Sequence, residues 1–513
     1  MAIRDIKDKR SITNDVVASL VVFLVALPLC MGIAIASGVP PALGLVTGMV
    51  GGIIVGTIAG SPLQASGPAA GLAVIVWELV QKYGIEMLGP VLLLAGLIQL
   101  LAGVFKLGGV FRAISPAVIY GMLAGIGILI FASQFHVMLD VKPRAHGLEN
   151  LISIPSSIYK AIFPPDGSNH HIAALVGIIT IITLILWDHF KPRKLKLLPG
   201  ALIGVVVATA LANVMKLPIQ YVNIPQNLGE TIHFPTVENL QRLLQAPLLI
   251  DAIAIAFIAS AESLLSAAAV DRLHQGSRTN FDRELAAQGF GNMICGALGA
   301  LPMTGVIVRS SVNVEAGATT RLSTILHGVW LLALVVAAPS VLKLIPTSSL
   351  AAILVVTGYK LVKVESIRKL RQYGRIPVFI YFATLGGIIA SDLLFGVLLG
   401  IVLSTIKLIY KVSHLNILTD WDENNQRIDV YLEGAATFIR LPQLAKTLEE
   451  IPPGKEIHIH LELLSYIDHS CLDFLSMWEK QQENMGSKIF VQRDRLLERY
   501  RRPFITEPSK VAG

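Results

Sequence analysis

Glu262 stands in the run IAIAFIASAESLLSAAAV and Arg309 in LPMTGVIVRSS, both within long apolar stretches. A carboxylate at the centre of a bilayer costs at least ~2.5 kcal/mol on insertion scales, so Glu262 is expected to be protonated, paired or in contact with water. That makes it a candidate proton carrier, with Ser266 one helical turn later on the same face. A structural glutamate bonded to a neighbouring helix is the other reading. The guanidinium of Arg309 keeps its charge. Just past Gly305, it adds to any positive dipole the backbone supplies there, unless it snorkels to water.

The stretch around Arg309, LPMTGVIVRSS (301–311), has a counterpart in SPLQASGPAAG (61–71). Both place proline and glycine where an apolar helix would continue, and neither residue suits a helix interior. A helix that begins inside the membrane leaves unpaired N–H groups and about half a unit of positive charge at its start. Those groups must be buried in protein or line a polar cavity. Two such ends facing one another make a site for an anion without a dedicated binding side chain. Gly67 and Gly305, with the small Ser66, Ala69 and Ala70, would let the backbone approach a ligand closely. Close helix packing is the other use of small residues in membranes.

Such ends need a scaffold of spans to hold them. Of the 513 residues, 53% are hydrophobic and only 15% charged, against about 25% charged in soluble domains. The chain is therefore an integral membrane protein. The apolar excess divides it into a short tail (1–12), a transmembrane region (13–412) and an ordinary, charge-rich end (413–513). The first apolar run, from Val16, continues past signal-peptide length without a small-residue cleavage site. At about 20 apolar residues per crossing, spans fall near 14–36, 41–60, 88–107, 115–139, 171–187, 198–215, 248–272, 284–301, 320–343, 349–363, 376–391 and 392–411. With the interrupted stretches near 63–80 and 303–316, the total is fourteen.

Charge supports that count. Arg4, Lys7, Lys9 and Arg10 precede the first span, and Lys191, Arg193, Lys194 and Lys196 follow the sixth. Arg272, Arg278 and Arg283 follow the eighth, and KVESIRKLRQYGR follows the twelfth. Every basic loop follows an even number of crossings, which puts both termini in the cytoplasm by the positive-inside rule. The net charge of +7 thus reads as topology, not as a nucleic-acid surface. Fourteen spans make two sets of seven in opposite orientation, an inverted repeat, and the third of each set is the broken one. Interrupted segments at matching positions mark a transporter's binding site. Asp251, His136 and Asp392 lie near span ends, where solvation accounts for them.

Several chemistries are excluded. No GxxxxGK[ST] loop is present for ATP-driven transport. Cys30, Cys295 and Cys471 are too dispersed for a metal site or disulfide framework and read as free thiols. No cofactor or metal is implied. His458 and His460 share a face through strand alternation alone. No nucleophile–base pair stands within the spans, so an intramembrane enzyme is not supported. After residue 413 the order is strand (RIDVYLEG), helix (LPQLAKTLEEI), strand (KEIHIHLELL), helix (CLDFLSMWEKQQENM) and strand (SKIFVQ), a small α/β domain. Its notable turn is Asp468-His469-Ser470, where an N-cap is the structural reading.

LPLCMGIAIASGVPP (27–41), ASGPAAG (65–71) and RSSVNVEAGATTRLS (309–323) together resemble the SulP family of anion transporters, over nearly the whole chain. The resemblance implies a seven-plus-seven inverted repeat with core and gate domains, a C-terminal STAS domain, a homodimer and the cell (inner) membrane. It also implies an anion site between the third and tenth segments, lined by Leu29 and Ile33 from the first, Ala69 from the third, and Val308 and Arg309 from the tenth. Glu262 matches the family's acidic position in the eighth segment, implicated in proton or cation (sodium) coupling. The chain departs from many relatives by Leu29 in place of glutamine, by Ile33 and Ala69 in place of aromatics, and by Val308 in place of serine. That pocket is less polar and roomier. The STAS phosphorylation motif is partly matched at Ser470. The expected function is proton-coupled secondary transport of a small inorganic anion by alternating access. A dicarboxylate transporter, or a nucleobase carrier on the same architecture, is the alternative.

Overall fold

The computed structural model describes residues 9–111, 115–144, 147–164, 169–192, 195, 198–223, 231–422 and 426–491. Arg4, Lys7, Arg193, Lys194 and Lys196, and the side chains of Lys9 and Arg10, lie outside the described residues. The chain divides into two compact units, 1–401 and 402–513.

The first repeat comprises α1 (Lys9–Ala36), α2 (Pro41–Ile58), α3 (Ala73–Tyr83), α4 (Leu88–Val104), α5 (Pro116–Met138), α6 (His170–Phe190) and α7 (Gly200–Val214). The second comprises α8 (Ala246–Val270), α9 (Phe281–Ala297), α10 (Ile307–Glu315), α11 (Leu322–Ala337), α12 (Thr347–Leu361), α13 (Arg375–Ala390) and α14 (Leu393–Val412). The third member of each set is short because a strand precedes it: β1 (Ser66–Pro68) before α3 and β2 (Met303–Gly305) before α10. Seven of the described helices are individually long and apolar enough to cross a bilayer.

Two groups of helices form the bundle. In one, α4 packs on α8 and α9 while α1 packs on α2 and α11; in the other, α5 packs on α12 and α13, and α6 on α7 and α12. The α4–α9 contact is backbone to backbone. A Cβ at Gly89, Gly96 or Gly103, spaced by heptads, would stand within 2.7, 2.5 or 2.4 Å of the main chain of Gly296, Met293 or Ala286, the small-residue packing that membranes favour. On α6, the exposed Leu175, Ile178, Ile182 and Ile185 recur every three to four residues, a lipid-facing stripe.

A further helix, Gly147–Ile162, lies between α5 and α6. It buries Asn150, Ser153 and Ser157 and exposes Ile152, Tyr159 and Ile162. This pattern is polar inward and apolar outward, so a search for long apolar runs passes over it. His136 is correspondingly not solvated. It is buried, with Nδ1 2.8 Å from the Ala132 carbonyl and Nε2 2.9 Å from the Ser153 hydroxyl.

In the second unit, β4 (Arg427–Ala436) is central, antiparallel to β3 (Leu415–Trp421) and parallel to β5 (Glu456–His460) and β6 (Leu464–Ile467). β7 (Lys488–Val491) completes the sheet beside β5. Helices α15 (Leu441–Glu449) and α16 (His469–Asn484) close a core of Ile428, Val430, Leu444, Ile457 and Trp478, and Trp478 Nε1 donates to the Leu448 carbonyl at 3.1 Å. The stretch KEIHIHLELL forms two strands, not one, because the chain turns at Glu462 and Leu463 and β6 pairs further along β4.

Candidate functional site

The two broken segments meet. β1 and β2 pair antiparallel, with Ser66 opposite Gly305, Gly67 opposite Thr304 and Pro68 opposite Met303. Three-residue strands have little stability of their own, so the side chains around them hold the pair in place. α9 supplies the main support through a polar stripe at four-residue spacing, Glu284, Gln288 and Asn292, all buried. Glu284 accepts from the Ser61 N–H (2.8 Å) and from Gln288 Nε2 (2.8 Å), and Gln288 Nε2 also reaches the Ser66 hydroxyl (2.7 Å). Asn292 brackets Met303, accepting from its N–H at 2.7 Å and donating to its carbonyl at 3.1 Å. From α8, the Ser263 hydroxyl accepts from the Gly305 N–H at 3.1 Å. Ala65 N–H donates to Ser310 Oγ at 3.0 Å, and Val306 N–H to the Ala65 carbonyl at 3.0 Å.

Both helices that leave this strand pair start without a side-chain cap. Ala69 precedes the tight turn that opens α3, and Val306 precedes α10; both are extended. Their first N–H groups and positive dipole ends converge on the strand pair from opposite sides. Arg309, in the first turn of α10, is fully buried. Its guanidinium lies on the main chain of Gly67, where a Cβ would stand 2.1 Å from Nη1. None of Nε, Nη1 and Nη2 has a hydrogen-bond partner among the described residues. Glu262, on α8, reaches the same broken segment four residues past Gly67, its carboxylate 2.9 Å from where a Cβ on Gly71 would stand. Its Oε2 is buried without a partner, and no ion pair joins it to Arg309 among the described residues. Ser266 is buried one turn later.

The remaining residues expected at the site fall into two sets. Ile33, Ser66, Gly67, Ala69 and Gly305 are buried, and α1 packs on both β1 and α10. Leu29 and Val308 instead line a cavity of about 750 Å³ between α1 and α10 on one side and α6, α7 and α12 on the other. Val308 is 40% exposed to it. Lys191, Lys360 and Lys363 also line this cavity, and Asp188 stands 3.8 Å from the ammonium groups of both Lys191 and Lys360. Reading the sequence for apolar spans missed Glu284, Gln288, Asn292 and Ser263. The visible signal was the four-residue polar spacing within a segment otherwise long enough to be a plain span.

In the C-terminal unit, Asp468 caps α16 by accepting from the Cys471 N–H at 2.9 Å and also accepts from the Phe438 N–H. Ser470 stands half-buried in the first turn of that helix. Burial pushes the Cys471 thiol up to about 12, which leaves it unreactive at neutral pH. His458 and His460 share one face of β5 as alternation requires, stacking on Phe490 and Tyr431 and bonding to Glu456 (2.8 Å) and Asp429 (2.7 Å). Among the described residues no three His, Cys, Asp or Glu side chains gather to hold a metal.

Two crossed, interrupted segments at the centre of an inverted repeat, with an unpaired cation between uncapped helix ends, define a membrane transporter of the anion class. The profile of the sulfate permease family matches residues 12–384, and the chain belongs to that family. It is 31% identical over 412 residues to the putative sulfate transporter YvdB of Bacillus subtilis, covering 78% of this chain and 74% of that protein. It is 24% identical to the bicarbonate transporter BicA of Picosynechococcus, covering 81% and 74%. In fold it is similar to the murine anion transporter Slc26a9 in its inward-facing state, with a TM-score of 0.80 and 16% identity over 97% of this chain and 89% of that one. These relatives are named as transporters, and the chain is a transporter, not an enzyme; its C-terminal sheet unit fits a STAS domain.

Proposed function

We propose that the protein is a secondary active transporter of a small inorganic anion of the sulfate, bicarbonate or chloride class, coupled to protons through Glu262. The observation that carries this reading is Arg309, a fully buried guanidinium whose three nitrogens lack partners among the described residues. An unpaired buried ion costs several kcal/mol, and the uncapped starts of α3 and α10 add positive potential at the same place. The missing partner is an anion. Leu29, Ile33 and Ala69 offer it no hydrogen bonds, so selection rests on charge, size and backbone N–H groups.

The cavity that ends at Leu29 and Val308 supports a route in from the lysine-bearing end. Movement of α1, α3, α8 and α10 as a core against α5, α6, α7 and α12 as a gate would close that route and open the opposite one. Glu262, beside the site but not ion-paired to Arg309, suits a group that takes up and releases a proton as the core moves; a sodium ion is the other occupant. The protein would sit in the plasma membrane as a homodimer with both termini cytoplasmic. The STAS domain, 413–513, would regulate rate, with Ser470 its modification position. The volume of this cavity, about 750 Å³, favours a dicarboxylate as the second reading.

The test is uptake into proteoliposomes of radiolabelled sulfate, bicarbonate, chloride and succinate, with and without a pH or sodium gradient. Saturable uptake of one of the first three, accelerated by an inward proton gradient, is the expected result. Uptake of succinate alone would move the assignment to dicarboxylates. Uptake of uracil and none of the anions would overturn the anion reading.

A further inference from the structure

Three rows of residues run along the helix Gly147–Ile162, which joins α5 to α6. Asn150, Ser153, Ser157 and Ala161 form a buried row, and the helix packs on α5, α6 and α13. The Ser153 hydroxyl stands 2.9 Å from His136 Nε2, and Ala161 closes a core with Met138, Leu139 and Val355. On the opposite side Leu148, Ile152, Pro155, Tyr159 and Ile162 recur at spacings of four and three, and all are exposed. Ile152, Tyr159 and Ile162 are 71%, 62% and 61% exposed. The exposed Phe163 extends the row, its ring centroid 5.6 Å from that of Tyr159. Glu149, Ser156 and Lys160 form a third row, also exposed, along one flank between the other two.

A helix at a protein–water surface has two faces, an apolar one inward and a polar one outward. This helix turns small and polar residues to the protein and apolar ones away from it, with a separate polar flank. Three faces call for three surroundings, protein, hydrocarbon and water, which meet at the surface of a bilayer. At 16 residues and about 1.5 Å per residue, the helix is shorter than the ~30 Å hydrocarbon core, so it lies along the membrane and does not cross it. It leads into α6, whose lipid-facing stripe begins at Leu175, so the apolar row continues a surface already in lipid. Tyrosine is enriched at that level of the membrane, where the ring is apolar and the hydroxyl reaches water. A second copy of the chain suits the row less well. Its six side chains fall short of the roughly 20–30 residues a side of a stable protein interface.

We infer that the helix Gly147–Ile162 is an interfacial anchor, lying in the headgroup–acyl boundary of one leaflet on the side of the membrane opposite Lys191. Ile152, Tyr159, Ile162 and Phe163 enter the hydrocarbon, and Glu149 and Lys160 face water. The helices it packs on belong to the second group of the bundle, so the anchor holds that group at a fixed depth while the core moves. This last step rests on the reading of α5, α6, α7 and α12 as the gate.

The placement is tested on the full-length chain in phosphatidylcholine–phosphatidylglycerol nanodiscs, with a nitroxide on a single introduced cysteine. Cys30, Cys295 and Cys471 are buried, and the unsubstituted chain is the labelling blank. Ile152→Cys and Tyr159→Cys should collide with oxygen, exclude a water-soluble nickel chelate and report a depth of about 5–10 Å. Ser156→Cys should collide with the chelate. Ile162→Cys replaces Tyr159→Cys should that variant fail to yield monodisperse protein. Equal chelate access at positions 152 and 156 would overturn the placement, as would spin–spin broadening at 152 from two adjacent copies of the chain. The anchoring is tested by anion uptake into proteoliposomes. Ile152→Asp should lower the maximal rate and leave the half-saturating concentration at the wild-type value, while Ile152→Leu and Ser156→Asp keep the wild-type rate. Ile152→Ser takes the place of the aspartate variant should that fail to reconstitute. A wild-type rate in I152D or I152S, or an equal loss in S156D, would overturn the anchoring. Absence of uptake by wild type would overturn the transport reading and the anchoring with it, and the labels would still decide the placement.

Discussion

Gly67→Ala tests the centre of the site with one methyl group. The new Cβ would stand 2.1 Å from Arg309 Nη1, and ordinary contact begins near 3.4 Å, so about 1.3 Å of separation must be recovered. The strand cannot supply it. Gly67 is paired with Thr304 in β2, and on its other side Gly51 packs against the Ser66 carbonyl and the Gly67 nitrogen. The guanidinium must therefore retreat. Misplacing a binding group by about 1 Å costs on the order of 10²-fold at an organised site, and overpacking adds about 1–3 kcal/mol of strain. The half-saturating anion concentration should rise about 10- to 100-fold in proteoliposome uptake. Gly386→Ala is the control: it is in α13, where a Cβ would meet nothing within 4 Å, and it should leave uptake unchanged. Wild-type half-saturation in G67A would refute the placement of the guanidinium against Gly67.

Other perturbations reach different parts of the structure. Glu262→Gln should abolish the pH dependence of uptake while anion binding persists; an unchanged pH profile would remove Glu262 from coupling. Glu284→Ala leaves the buried Ser61 N–H and Gln288 amide short of an acceptor, at about 1–3 kcal/mol each. The detergent-solubilised protein should therefore melt several degrees lower, whereas a shift within error would mean that α9 does not hold the strand pair. In the STAS domain, the Arg427 guanidinium and then the His460 ring hold the Asp429 carboxyl below the usual carboxylate range. A depressed folded value stabilises above the unfolded value of about 3.9 and is lost as pH falls through the folded value. Hydrogen exchange in β4 and β5 should then accelerate below about pH 4 in wild type, and Asp429→Asn should remove that acid-induced change. Deleting residues 414–513 should alter transport rate and leave anion selectivity intact, as uptake competition would read.

Much of this arrangement could be read from residue pattern. Hydrophobic length located twelve of the fourteen segments because each full span must cover the apolar thickness of the bilayer. The Pro/Gly breaks at 61–71 and 301–311 located the two interrupted segments because proline and glycine together disfavour a continuous helix. What pattern could not supply was pairing in three dimensions. Nothing in SPLQASGPAAG states that Gly67 faces Thr304, or that Arg309 folds back onto Gly67 instead of snorkelling outward. The α9 stripe of Glu284, Gln288 and Asn292 was overlooked because a mean over a span dilutes three polar residues. The helix Gly147–Ile162 escaped because its polar side faces inward, the reverse of the soluble rule. His136 went with it, since its partner Ser153 lies on that helix.

The most direct measurement is equilibrium binding of radiolabelled sulfate, bicarbonate and chloride to the purified full-length chain, wild type against Arg309→Gln. The predicted result is saturable binding of one of these anions to wild type, at one site per chain, and its loss in R309Q. Saturable one-site binding that survives in R309Q would contradict the assignment of the buried, partnerless guanidinium as the anion's seat.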